Sequence, residues 1–106
     1  MSEPAASAEI EECKQIAQAW APVLRALANE ERLLIALWLA GSECTVRELE
    51  AVTGMGQSLV SYHLQGLRRA GLVSSTAAGR SNRYRLARAD LDRLAALIGS
   101  LRPETG

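Results

Sequence analysis

The run TVRELEAVTGMGQSLVSYHLQGLRRAGLV, residues 45–73, constrains this chain more than any other stretch. Thr45 followed three residues on by Glu48 is a capping box, the mark of a helix start. The helix it opens is short, with Val46, Leu49 and Val52 as its apolar positions. Gly54-Met55-Gly56 then makes a tight turn. A second helix is expected from Gln57 to about Ala70, stopped by Gly71. Leu59, Val60, Leu64 and Leu67 face inward in this helix. Ser58, Ser61, Tyr62, Gln65 and Arg69 recur at spacings of three and four on the opposite side.

That opposite side is polar but uncharged until its last turn. A merely solvated face normally carries Lys and Glu. Hydroxyls and amides instead suit base edges and phosphate oxygens, where they donate or accept. The formal net charge of +0 argues against a polyanion partner, but the distribution of charge argues for one. From Ala51 to Ala89 there is no Asp or Glu, while six arginines lie there: Arg68, Arg69, Arg80, Arg83, Arg85 and Arg88. Residues 1–50 hold nine acids against four bases. Local positive charge attracts phosphate whatever the total.

The flanking segments complete an order. Ile10, Cys13, Ala17 and Trp20 recur at helical spacing from Ala8 to about Trp20. Pro22 is expected to end this helix or start a second, short one through Ala28 with Val23, Leu24 and Leu27. Asn29 caps EERLLIALWLA, a helix apolar nearly all round and therefore central or shared with a partner chain. After the polar-faced helix, Leu72–Thr76 and Arg83–Ala87 read as arms of a β-hairpin with AAGRSN at its tip. Tyr84 and Leu86 alternate with Arg83 and Arg85, so one face is buried and the other basic. Asp90 caps a last helix to about Leu101, striped by Leu91, Leu94, Leu97, Ile98 and Leu101.

Three short helices with a tight turn between the last two, followed by a basic hairpin, make a winged helix-turn-helix. The expected fold is mostly α with a small hairpin, in the order α-α-α-α-α-β-β-α. Residues 1–7 are expected to be disordered, residues 8–101 to form the domain and residues 102–106 to be a tail. Residues 8–28 and 89–101 are expected to pair two copies into a homodimer.

Composition removes other classes. Apolar residues make up 48%, so the chain is globular. No run approaches 18 apolar residues, so no membrane span is expected, and the acidic start is not a signal peptide. A cytoplasmic location follows. With one His, no nucleophile–base grouping, no phosphate loop and no clustered carboxylates, an enzyme is not expected.

LRALANEERLLIALWLA, the 45–73 run and GRSNRYRL together resemble the ArsR family of bacterial winged-helix repressors over about residues 22–87. The resemblance implies a homodimer that binds a two-fold operator and leaves it when an inducer arrives. It places Gln57, Ser58, Ser61, Tyr62 and His63 in a recognition helix, and Arg80 and Arg83 in the wing. Asn-Glu-Glu stands where the family has Asp-Pro-Thr, and Gly56 where it has a capping serine. The family's metal-site cysteine positions are taken by Thr45 and Arg47, Cys44 falls one place early, and the last helix has no histidine. Both familiar metal sites are therefore absent or crippled. His63 lies between the two faces of its helix, where packing or a phosphate contact is expected rather than ligation, since no second His or nearby Cys completes a site. In some relatives an N-terminal thiol meets the partner's first reading-head helix. Cys13 and Cys44 are thus either a thiol sensor, for redox or thiophilic ions, or two small buried hydrophobes.

The resulting expectation is a dimeric regulator on double-stranded operator DNA that needs no cofactor. Sequence choice would come from Gln57, Ser58, Ser61 and Tyr62, and affinity from the arginines of the hairpin and of the end of the recognition helix; the DNA-binding set is completed by Gln65, Arg69, Arg80, Arg83 and Arg85. The effector is left open between a metal ion and a redox signal. Two alternatives stand beside it: a winged helix that docks a protein instead of DNA, and an activator that works with a partner sensor protein.

Overall fold

The computed structural model describes residues 3–100. Its elements are α1 (Glu3–Leu27), α2 (Glu30–Leu39), α3 (Val46–Thr53), α4 (Gln57–Arg69), β1 (Val73–Ala78), β2 (Ser81–Leu86) and α5 (Arg88–Ser100). The core is made where α2, α3 and α4 meet beneath the hairpin. Ile35, Leu49, Val60, Leu67 and Leu72 are its largest fully enclosed side chains.

Local chemistry sets most of the boundaries. Asn29 Oδ1 accepts from the Arg32 N–H at 2.9 Å and so caps α2. The capping box at α3 is complete: Thr45 Oγ1 accepts from the Glu48 N–H, and Glu48 Oε1 accepts from the Thr45 N–H. Gly54 ends α3 at φ 77°, which leaves a three-residue turn before α4. The end of α4 is a Schellman motif. Leu72 N–H reaches Leu67 O and Gly71 N–H reaches Arg68 O, with Gly71 at φ 77°. Leu67 and Leu72, joined by that turn, are both buried.

Four expectations need correction. Pro22 neither ends nor starts a helix; α1 runs through it from Glu3. Gln18, four residues before it, whose carbonyl loses its usual donor, is an exposed residue. Val23, Ala26 and Leu27 pack on the core and hold the last turns helical. One helix therefore replaces two before α2. The hairpin tip is also shorter than expected. Val73–Ala78 pairs with Ser81–Leu86, so only Gly79 and Arg80 form the turn, with Gly79 at φ 66°. Third, α5 begins at Arg88, which places Asp90 inside its first turn rather than at its cap. Fourth, Leu59 is 37% exposed and does not face inward. The side chains of Asp90, Leu94 and Leu97, and all of Leu101 and residues 102–106, lie outside the described residues.

The sheet gains a third participant that the sequence did not announce. Cys44 exchanges both backbone hydrogen bonds with Tyr84, at 3.0 and 2.8 Å. The segment leading into α3 is thereby stitched to the wing.

The chain is long for its size. Its radius of gyration is 17.6 Å, against about 13 Å for a compact chain of this length. The 25 residues of α1 span roughly 37 Å, and only its last turns reach the core. Ile10 and Leu24 on α1, Leu34, Leu37 and Trp38 on α2, and Ile98 on α5 are exposed.

Candidate nucleic-acid interface

The polar stripe of α4 is where the sequence placed it. Gln57, Ser58, Ser61, Tyr62, Gln65 and Arg69 are all exposed, while Val60, Leu64 and Leu67 are buried beneath. Gly56 caps the helix in extended geometry without a side-chain hydrogen bond. A Cβ built at Gly56 would meet nothing within 4 Å, so the space beside this cap is open.

The wing closes this stripe on one side. A cleft of ≈ 470 Å³ runs between α4 and the hairpin, with Ser58, Ser61, Tyr62, Gln65 and Arg68 on the helix side and Tyr84 on the wing side. Gln57 belongs to a second cleft. It faces the start of α3 and the hairpin tip, beside Arg47, Arg80 and Asn82. Tyr84 lines both clefts. Arg47, Asn82 and Tyr84 line these clefts without having been among the expected contact residues, and Arg68 lines the first. Arg68 was one of the six arginines of the acid-free run, whereas Arg47, Asn82 and Tyr84 are brought to the clefts by the wing's fold-back.

The arginines divide into two kinds. Arg68, Arg69, Arg80 and Arg85 are exposed. Arg83 is engaged inside the molecule. Its Nη2 donates to the Glu43 carbonyl at 3.2 Å and lies 3.5 Å from Glu48 Oε1, and its Nε stands 4.0 Å from Glu43 Oε1. Two carboxylates and a carbonyl stand at Arg83, whose side chain is still 39% exposed, so a phosphate would compete with them for its donors. Its role in this geometry is to strap the wing to the start of α3.

His63 is also corrected. It is 2% exposed, so it cannot reach DNA from this position. Its Nδ1 accepts from Arg32 Nε at 3.3 Å, and its Nε2 lies 3.1 Å from Glu31 Oε1. The packing alternative holds, with α2 as the partner.

The cysteines lie in different surroundings. Cys13 is exposed on α1, and Cys44 is buried in the core at 5% exposure. Among the described residues, no group of three or more His, Cys, Asp and Glu is placed to hold a metal ion. Among the same residues, no helix is long and apolar enough to cross a membrane.

Residues 29–75 match the family model described as bacterial regulatory protein, arsR family. The transcriptional activator HlyU of Vibrio cholerae is 35% identical over 79 residues, 74% of this chain and 73% of HlyU. The chain belongs to the ArsR family. Another ArsR relative, the HTH-type transcriptional repressor SmtB of Mycobacterium tuberculosis, is 42% identical over 74 residues, 70% of this chain. The matched part of the chain spans 55% of that SmtB, and 34% of another HTH-type transcriptional regulator of the same organism. The fold agrees with solved ArsR structures. Reduced HlyU from Vibrio cholerae superposes with a TM-score of 0.73 at 31% identity, over 89% of this chain and 99% of that one. A homodimeric winged helix-turn-helix DNA-binding domain from Mycobacterium bovis gives 0.69 at 36% identity, over 83% of this chain and 82% of that one. The winged helix-turn-helix architecture is thus established for this member.

Proposed function

We infer that this ArsR-family chain is a transcriptional regulator that binds double-stranded operator DNA as a homodimer and represses transcription until an effector releases it. One observation carries the reading. The uncharged polar stripe of α4 stands free beside a wing whose exposed charges are arginines, with no acid between residues 51 and 89. A major groove admits one such helix, and its first turns reach deepest. In this reading Gln57, Ser58, Ser61, Tyr62 and Gln65 contact base edges. Arg69, Arg80 and Arg85, with Arg68 and Arg47, contact phosphates.

The homodimer is supported by what α1 and α5 leave uncovered. Ile10 and Leu24 on α1 and Ile98 on α5 are exposed in the single chain. One short helix reads too few bases, and a two-fold pair reads two half-sites about one turn apart. An effector then acts by favouring one spacing of the two reading heads. The site of action is the cytoplasm, where operator DNA is.

A second reading, activation instead of repression, is favoured by the activator name carried by HlyU. It uses the same interface, with a partner sensor protein supplying the signal.

Fluorescence anisotropy with promoter duplexes at two salt concentrations tests the interface. Binding that weakens steeply with salt is expected. No binding up to tens of micromolar would turn the reading to a protein-docking winged helix.

A further inference from the structure

The clue is Gly66, which sits in the middle of α4 at an ordinary helical φ. Glycine is a poor helix former, and no turn requires it there. Its reason lies on α2. A Cβ built at position 66 falls 2.7 Å from Arg32 Cζ and Nη1 and 3.0 Å from Nη2. The guanidinium of Arg32 therefore rests against the bare backbone of the recognition helix.

A guanidinium at the end of a flexible side chain could move aside, but this one is held. Its Nε donates to His63 Nδ1 at 3.3 Å and its Nη1 to the Ala26 carbonyl at 3.4 Å. Arginine only donates, so Nδ1 of His63 must accept and Nε2 must carry the ring proton. That N–H points at Glu31 Oε1, 3.1 Å away. Both ring nitrogens of a histidine that is 2% exposed are thus used. The guanidinium carbon also lies 5.6 Å from the centroid of the Tyr62 ring, within cation–π range. The Tyr62 and His63 rings stand 5.4 Å apart, tilted by 58°. Tyr62 itself is 62% exposed on the reading face.

We propose that Arg32 and His63 are positioning residues for base recognition: the guanidinium, seated in the notch at Gly66 between His63 and the Ala26 carbonyl, holds the Tyr62 ring in its reading pose. Neither residue touches DNA. The arrangement also ties the end of α1, through Ala26, to the helix that reads sequence. The proposal rests on the DNA-binding reading above and names two residues that reading does not use.

The test uses the full chain and a duplex enriched by the wild-type protein from a random pool, with a scrambled duplex of equal length as reference. Wild type, R32K, Y62A and the double variant are compared. Lysine keeps the charge but has neither the Nε–H donor nor the flat face. R32K is expected to lower the specific-to-scrambled affinity ratio about tenfold, leaving scrambled affinity and its salt slope within about twofold. The double variant is expected to discriminate no worse than Y62A alone. Retained discrimination in R32K, or losses that multiply in the double variant, overturns the proposal. Should R32K melt below the assay temperature, G66A decides. It keeps Arg32, supplies a better helix former, and the three atoms nearest its new Cβ all belong to the guanidinium. G66A that folds and still discriminates like wild type overturns the proposal; a loss like that of Y62A supports it. A wild-type protein that enriches no duplex overturns the DNA-binding reading itself, whereas enrichment with R32K unaffected overturns this proposal alone.

Discussion

Arg83 reaches back from β2 to Glu48, its Nη2 lying 3.5 Å from the same Oε1 that accepts the Thr45 N–H and completes the cap of α3. One carboxylate thus serves a helix terminus and a wing. The pair is half exposed, so its Coulomb term is small; the added bond to the Glu43 carbonyl makes it a strap. Arg83→Ala should cost about 1 kcal/mol, lowering Tm by about 4–8 °C, and weaken binding to every duplex because the wing loses its register. A thermal melt with wild-type Tm would show that the strap does not form in solution.

Arg85→Ala and Arg80→Ala should behave differently. Both side chains are exposed and make none of the contacts found for Arg83. Each should leave Tm unchanged and lower the slope of log K against log salt by about 0.9, the share of one phosphate. Anisotropy titrations across a salt series give that slope directly. Unchanged slopes for both would place the wing off the DNA backbone.

Ser61→Ala addresses choice of sequence. Ser61 lies in the cleft between α4 and the wing and carries no charge. Its loss should change preference among operators by about 1 kcal/mol with little change on random DNA. Competition between enriched and scrambled duplexes measures this; equal losses on both would remove Ser61 from base reading.

Leu24→Glu tests the pairing of two copies. Leu24 is 45% exposed in the single chain, so a charge there should barely alter the fold of one protomer. Sedimentation should show a shift from dimer to monomer, with a loss of operator affinity larger than the loss on a single half-site. A variant that remains dimeric would move the interface elsewhere.

Thiol reactivity separates the two cysteines. In the folded protein, a thiol reagent should label Cys13 and reach Cys44 only on opening of the core, because Cys44 is 5% exposed. Cys44→Ser, which buries a hydroxyl in an apolar cluster, should destabilise by about 1–3 kcal/mol in denaturant melts. Equal labelling rates would favour the thiol-sensor alternative for the pair over a buried Cys44.

Much of this protein is legible in one dimension because its signals are local. The capping box at Thr45 and Glu48, the cap at Asn29 and the stops at Gly54 and Gly71 act within a few residues. Helical spacing is likewise local, and it separated Ser58, Ser61, Tyr62 and Gln65 from Val60, Leu64 and Leu67. Pro22 misled because a local rule met packing by Val23, Ala26 and Leu27 that it does not include.

What the amino-acid order determined on its own was the helix-turn-helix, the hairpin and the outward polar stripe, since propensity, capping and periodicity need only near neighbours. The intramolecular partners of Arg83 and His63 were decided only by the tertiary structure. Both looked available for DNA; Glu48 lies 35 positions from Arg83, and His63 is separated from Glu31 and Arg32 by 32 and 31 positions. Whether a charge or a ring is free depends on which distant partner the fold brings within about 3 Å, and no local pattern carries that information.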